Sequence, residues 1–387
     1  MLIQRLFRIF VYLLCFTLPL NQFLNVRILI VSLVISLFVK ESPLPSMRNM
    51  LGGGLYILVL LIGLVYSSDF MSGLRVLETS FSFLALPIIL SRIEPMTSTE
   101  INKYFKIFSY GLSLACLICL LHACYKFAGN GDFHSFFFYN LTDIIGYDPT
   151  YFTYYIIFAI TYCIYVLYYE ESDFSIVEGA LFTVFLFFML LLTGGKTSFV
   201  CLLLVFSFFI LKFLTEKRSS RTTNTIILIV VMLVSLFFVN YTEGNSKDRN
   251  QNSSWERMIL WESAVKAVPN VIFGVGTGDY KSELDSYYRR NHLTEFAKES
   301  LNSHNQVLQL LFSNGMIGVF AFIILVSQPL YLAVRSQNMM AILIFFPFVI
   351  YGISEVFLGR YQGVIFFAWL HQLLILWTQR LQPIVKT

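Results

Sequence analysis

Long apolar runs alternate with short polar connections along almost the whole chain. The runs fall at about 6–20, 26–39, 50–67, 74–91, 104–128, 150–169, 176–194, 197–214, 224–241, 304–334, 340–358 and 361–379. Most approach the roughly 20 residues that a helix needs to cross a hydrocarbon core. The pattern therefore predicts an all-α polytopic membrane protein with about 12 transmembrane helices. The first two runs are short, and the run at 74–91 carries Arg75 and Glu78. One long polar stretch, 242–303, separates the ninth run from the tenth. The chain thus divides into 1–241 (helices 1–9), a polar loop 242–303 with short helices of its own, and 304–387 (helices 10–12). Arg5 and Arg8 ahead of an apolar run to Leu20 look like the start of a signal peptide. No small-residue cleavage site follows and further spans do, so this run reads as a retained first helix.

Composition supports the membrane reading. Hydrophobic residues make up 57% of the 387 and charged residues 13%, with a mean hydropathy of +0.71. A soluble globule with these figures would lack the polar surface to cover its core, and disorder needs more charge and fewer aromatic residues. All six cysteines lie in apolar runs, which argues against a disulfide framework. Cys116-Leu-Ile-Cys119 sits in mid-span with no His or carboxylate beside it and reads as a pair of small buried hydrophobes.

Lys and Arg in the short loops set the orientation. With the N-terminus in the cytoplasm, the basic run Lys217-Arg218-Ser-Ser-Arg221 and most other loop cations fall inside. Both termini are then cytoplasmic and 242–303 lies outside. That loop balances acids against bases, so the net charge of +4 is a topology signal. It is not a nucleic-acid footprint, and no nucleic-acid partner is expected.

Within the outer loop, Ser254 is placed to cap a helix through Val268. Trp255, Met258, Trp261, Val265 and Val268 follow helical spacing as an apolar face, with Arg257 in the first turn off that face. Pro269-Asn270 ends the helix. A turn with Gly274, Gly276 and Gly278 follows, then a second polar helix around 279–299. Ser303-His304-Asn305 leads into the tenth span, which contains Gly315 and Gly318.

At these residues the chain resembles the O-antigen ligase and polymerase superfamily of bacterial envelope glycosyltransferases. The shared pattern is Arg257 before Trp261 on an amphipathic helix, then Pro269, the turn Gly274/Gly276/Gly278, Ser303-His304-Asn305 at a helix start, and Gly315/Gly318. It covers about 70 residues, and the order of spans around the large loop extends it to the rest. One departure stands at Gly194-Gly195-Lys196-Thr197, where family members often carry a Ser-Arg-Gly-like turn. Lys keeps the charge but loses the bidentate fork of Arg.

The resemblance implies transfer of a glycan from a polyprenyl-diphosphate donor to an acceptor hydroxyl, with inversion and without a cofactor. It places the reaction on the periplasmic face of a bacterial inner membrane. The acceptor would be lipid A–core, another glycan or a protein for a ligase, or a second lipid-linked repeat for a polymerase. The ligase is the reading preferred here. A transporter or flippase is the rival from another class, since about 12 spans are common there. The long loop follows the ninth span, however, and no half-to-half echo is visible.

A diphosphate leaving group needs either a metal or clustered cations to hold its growing charge. The outer loops carry no Asp-x-Asp-like pair, which favours a metal-free cluster of Arg75, Lys196 and Arg257. Each has a plainer reading: a snorkelling anchor or an Arg75–Glu78 pair, interfacial anchoring for Lys196, and an ion pair of Arg257 with Glu256, Glu262 or another loop acid. His304 at a helix start is the candidate general base, against a capping or interfacial role. Arg289-Arg290 are either solvated or able to steer an anionic acceptor. Asp148 is either a sugar contact or the N-cap before Pro149. His122, His134, His292 and His371 have no comparable motif. Gly195-Lys196-Thr197 is no phosphate-binding loop, because Leu190 stands where its first glycine is required.

Overall fold

The computed structural model describes residues 2–39, 45–93, 96–169, 175–216 and 253–381. The ninth predicted span at 224–241, the linker to 252 and the basic run at 217–221 lie outside the described residues. Helix dominates what is described, and no strand occurs among those residues. This follows from the solvent: inside a bilayer every backbone N–H and C=O must be satisfied within the protein, and a helix does this locally.

Five described helices are long and apolar enough to cross a membrane: Met47–Val65, Phe70–Ser91, Ser98–Asn130, Pro149–Tyr169 and Gln306–Arg335. Gln22–Ser36, Val177–Thr193, Thr197–Lys212 and Met339–Ser354 are shorter apolar helices. Helix starts carry the side-chain caps that the polar connections supply. Ser46, Asp69, Ser175 and Asn338 accept from the backbone N–H of Asn49, Ser72, Glu178 and Ala341. The run predicted at 74–91 begins at Phe70, and its two halves abut at Phe81, whose dihedrals remain helical.

The chain forms two compact units. One comprises 1–18, 22–101 and 252–387, and the other 19–21 and 102–251. In the first, the helix Tyr361–Leu381 is buried along almost its whole length. Phe367 packs against Phe83, Phe345, Phe348 and Phe357 from three other segments. In the second, Pro149–Tyr169 is almost wholly buried, with Phe158 in edge-on contact with Phe105 and Phe108 of Ser98–Asn130.

The loop has three helices after residue 252. Ser253–Lys266 begins one residue before the predicted cap, so Ser254 lies inside its first turn. Its packed face is Leu260, Ser263 and Ala264, whereas Trp255, Met258 and Val265 are exposed. The helix is apolar on two sides, and periodicity alone could not choose between them. The predicted second helix divides into Tyr280–Arg290 and Thr294–Glu299. Leu260, Leu284, Tyr288 and Phe312 form the small core under these helices. Burial pushes the Tyr280 and Tyr288 hydroxyl pKa values up.

The helix Gln306–Arg335 is not continuous. Gly315 breaks Gln306–Arg335 with φ 64° and ψ −161°. In an unbroken helix the N–H groups of Met316 and Ile317 would reach the carbonyls of Phe312 and Ser313. Here Met316 N–H donates to Val271 O at 2.8 Å and Ile317 N–H to Ile272 O at 3.5 Å. The freed carbonyls of Phe312 and Ser313 accept from Val275 and Gly276 at 2.9 and 2.8 Å. The glycine-rich turn is thus a wedge that completes the opened rungs. A Cβ on Gly315 would stand 2.1 Å from Ile272 O, and one on Gly278 would stand 2.0 Å from Asp69 O.

Candidate functional site

His304 stands where the loop returns to the helical bundle. The N-cap of Gln306–Arg335 is Asn305, whose Oδ1 accepts from Val307 and Leu308 N–H at 3.0 Å each. His304 therefore precedes the helix rather than starting it, with a left-handed backbone at φ 42°. Its own N–H donates to Asn302 Oδ1 at 2.8 Å, which supports that turn.

Two helix ends are joined beside it. Asn305 Nδ2 donates to Ile353 O at 3.1 Å, and Leu358 N–H donates to Gln306 Oε1 at 2.8 Å. These bonds hold the start of Gln306–Arg335 against the end of Met339–Ser354. They bring His304 onto Glu355, the residue that follows the second helix. His304 Nδ1 lies 3.0 Å from Glu355 Oε2, and Arg257 Nη2 lies 3.6 Å from Glu355 Oε1. One carboxylate, 20% exposed, thus faces both an imidazole and a guanidinium that keep more of their surface open.

A neutral imidazole that donates Nδ1–H to this carboxylate leaves the Nε2 lone pair free to take a proton. The tautomer is assigned from that hydrogen bond. A guanidinium with one edge toward Glu355 retains donors for another anion.

Of the residues singled out in the sequence, the structure brings Arg257 and His304 together, through Glu355. Arg257 does not pair with Glu262, whose partner is Lys266. Glu355 was not among the candidates, although an ionisable residue inside the apolar run 340–358 was the signal for it. Arg75 is an exposed residue of Phe70–Ser80, in the same unit. The Asp69 carboxyl is held below its usual range first by the Ser72 hydroxyl and its N–H, with a smaller contribution from the Arg75 charge. Arg289 and Arg290 are exposed at the end of Tyr280–Arg290, and Arg290 Nε donates to Ser286 O at 3.3 Å.

Lys196 and Asp148 belong to the other unit. Lys196 is the first residue of Lys196–Glu216, and its side chain lies outside the described residues. Asp148 immediately precedes Pro149–Tyr169, and its Oδ1 accepts from Thr150 N–H at 2.9 Å. That is the capping geometry.

The glycine turn positions this site from below. Thr277 Oγ1 donates to Leu60 O at 2.8 Å and accepts from Asn314 Nδ2 at 2.9 Å. The Asp279 carboxylate accepts from the N–H groups of Ser68 and Asp69, both at 2.6 Å. Charge-assisted bonds of this kind are stronger than neutral ones. They fix the loop to the end of Met47–Val65 and so limit where Arg257 can sit.

Residues 181–323 match the family model described as O-antigen ligase. The matched segment supports the O-antigen ligase superfamily, as the motif resemblance implied. It contains Lys196, Arg257, the glycine turn, His304 and Gly315, while Arg75, Asp148 and Glu355 fall outside it. An uncharacterized protein of Haemophilus influenzae (strain ATCC 51907 / DSM 11121 / KW20 / Rd) is 25% identical over 143 residues, covering 33% of this chain and 34% of the relative. The match spans about a third of that relative's length. The long apolar helices are those of a multi-pass membrane protein, and the matched segment is similar to O-antigen ligases.

Proposed function

We propose that the chain transfers a glycan from a polyprenyl-diphosphate donor to an acceptor sugar hydroxyl at the periplasmic face of a bacterial inner membrane. The observation that carries this reading is the single carboxylate of Glu355 shared by His304 and Arg257. The acceptor O–H gives its proton to His304 Nε2 as its oxygen attacks the anomeric carbon. The bond from that carbon to the diphosphate breaks, and the new glycosidic bond forms on the opposite side, with inversion. Glu355 holds the imidazole by Nδ1 and stabilises the imidazolium that forms. Arg257, with Arg75, neutralises the charge on the departing diphosphate. Arg289 and Arg290 steer an anionic acceptor toward the site. Residues 1–241 and 304–387 form the membrane part and 242–303 the outer loop.

Turnover of the purified chain with lipid-linked donor and acceptor, without any ion gradient, tests the reading. His304→Ala is expected to lower the rate by about 10²–10⁴-fold, the usual contribution of a general base. Wild-type turnover in that variant would remove His304 from the reaction. Envelope glycans of a deletion strain separate the two acceptor classes. Unmodified core with retained lipid-linked polymer means ligase, and a single repeat on core means polymerase.

A further inference from the structure

We propose that Val271, Ile272 and Phe273 form a lipid-inserted tip that anchors the loop in the bilayer at the break of Gln306–Arg335. Three consecutive apolar side chains at a loop turn are unusual in water, and here they are 58%, 57% and 45% exposed. Five of their six backbone groups have protein partners, which suits a segment at the membrane. The N–H groups of Ile272 and Phe273 donate to Asn270 Oδ1 at 2.9 and 3.2 Å. The three carbonyls accept from Met316 N–H, Ile317 N–H and the Tyr66 hydroxyl.

The tip also continues surfaces that face lipid. Met316, bonded to Val271, begins an exposed apolar face that runs on through Phe320 and Ile323 at helical spacing. Tyr66 follows directly on the span Met47–Val65, with its ring edge-on to Phe273. From Met316 to Arg335 the helix covers about 30 Å at 1.5 Å per residue, the thickness of a hydrocarbon core. Two spans therefore end level with the tip, which places it at the bilayer boundary with its side chains against acyl chains. Tyr66, amphipathic and at the same level, suits the headgroup region. The occupant of this surface is bulk phospholipid.

Spin-label accessibility in the full chain tests this. Cys124 is the exposed cysteine among the six, so Cys124→Ser supplies the background. Ile272→Cys, Phe273→Cys and, as a control on the exposed side of Tyr280–Arg290, Lys281→Cys are labelled with a nitroxide in phospholipid nanodiscs. Neither tip substitution touches a backbone hydrogen bond, so both variants retain the wedge. Collision with oxygen, which partitions into lipid, is expected to exceed collision with a water-soluble nickel chelate several-fold at 272 and 273, and to fall below it at 281. Dominance of the nickel chelate at both tip positions overturns the proposal, because the tip is then in water. Low collision with both reagents overturns it too, because protein then covers the tip.

Discussion

Replacing Gly315 by alanine attacks the joint on which the site depends. At φ 64° and ψ −161° the backbone there is in a region open essentially to glycine alone. Forcing a Cβ into it costs about 1–3 kcal/mol. The added carbon would also stand 2.1 Å from Ile272 O and 2.5 Å from Phe273 N, both backbone atoms that cannot rotate away. The loop must then retreat, opening the four bonds that join 271–276 to 312–317 at about 0.5–1.5 kcal/mol each. Together these amount to about 3–9 kcal/mol, comparable with the whole stability of a folded domain. If the helix closes instead, the loop that carries Arg257 is expelled. Thermal denaturation of the detergent-purified chain and its glycan-transfer rate measure both effects. Gly54→Ala is the control, since a Cβ there meets nothing within 4 Å; it is expected to leave melting unchanged or raise it slightly. Wild-type melting and turnover in Gly315→Ala would refute the wedge.

The remaining predictions concern the charged groups. Glu355→Gln replaces the charged, acceptor-only partner of His304 Nδ1–H by a neutral amide that also donates, so the tautomer is no longer fixed; it is expected to lower kcat more than it changes KM, by up to about 10⁴-fold, the loss when the orienting carboxylate of a Ser-His-Asp triad becomes its amide. Steady-state kinetics over acceptor concentration read this, and an unchanged kcat excludes a positioning role. Arg257→Lys keeps a charge but loses the bidentate fork, so kcat/KM for the diphosphate donor is expected to fall at least about tenfold, while Lys-level activity equal to Arg counts against chelation. Asp279→Asn weakens two charge-assisted bonds to Ser68 and Asp69. A destabilisation of about 1–3 kcal/mol is expected, seen as a lower melting temperature.

Much of the architecture was readable because its causes are local. A run of apolar side chains in lipid has few alternatives to helix, whatever it packs against. Ser46, Asp69 and Ser175 cap helices by bonds spanning three residues, which a sequence pattern can register. Arg257 and His304 were visible as motif residues. The glycine turn was visible as a turn, but its purpose was not, since the break it fills lies about 40 residues further along.

By itself, then, the sequence determined a helical membrane chain and two of the residues that meet at Glu355, because hydropathy, capping and turn chemistry act over a few neighbours. Tertiary structure alone decided that Glu355 joins His304 across 51 residues. It also decided that the helix Gln306–Arg335 opens at Gly315 to receive the loop, and which side of Ser253–Lys266 packs inward. A carboxylate at the end of an apolar run acquires a partner only when the helix ends are brought together. An opened helical rung is tolerable only when a distant segment arrives to complete it.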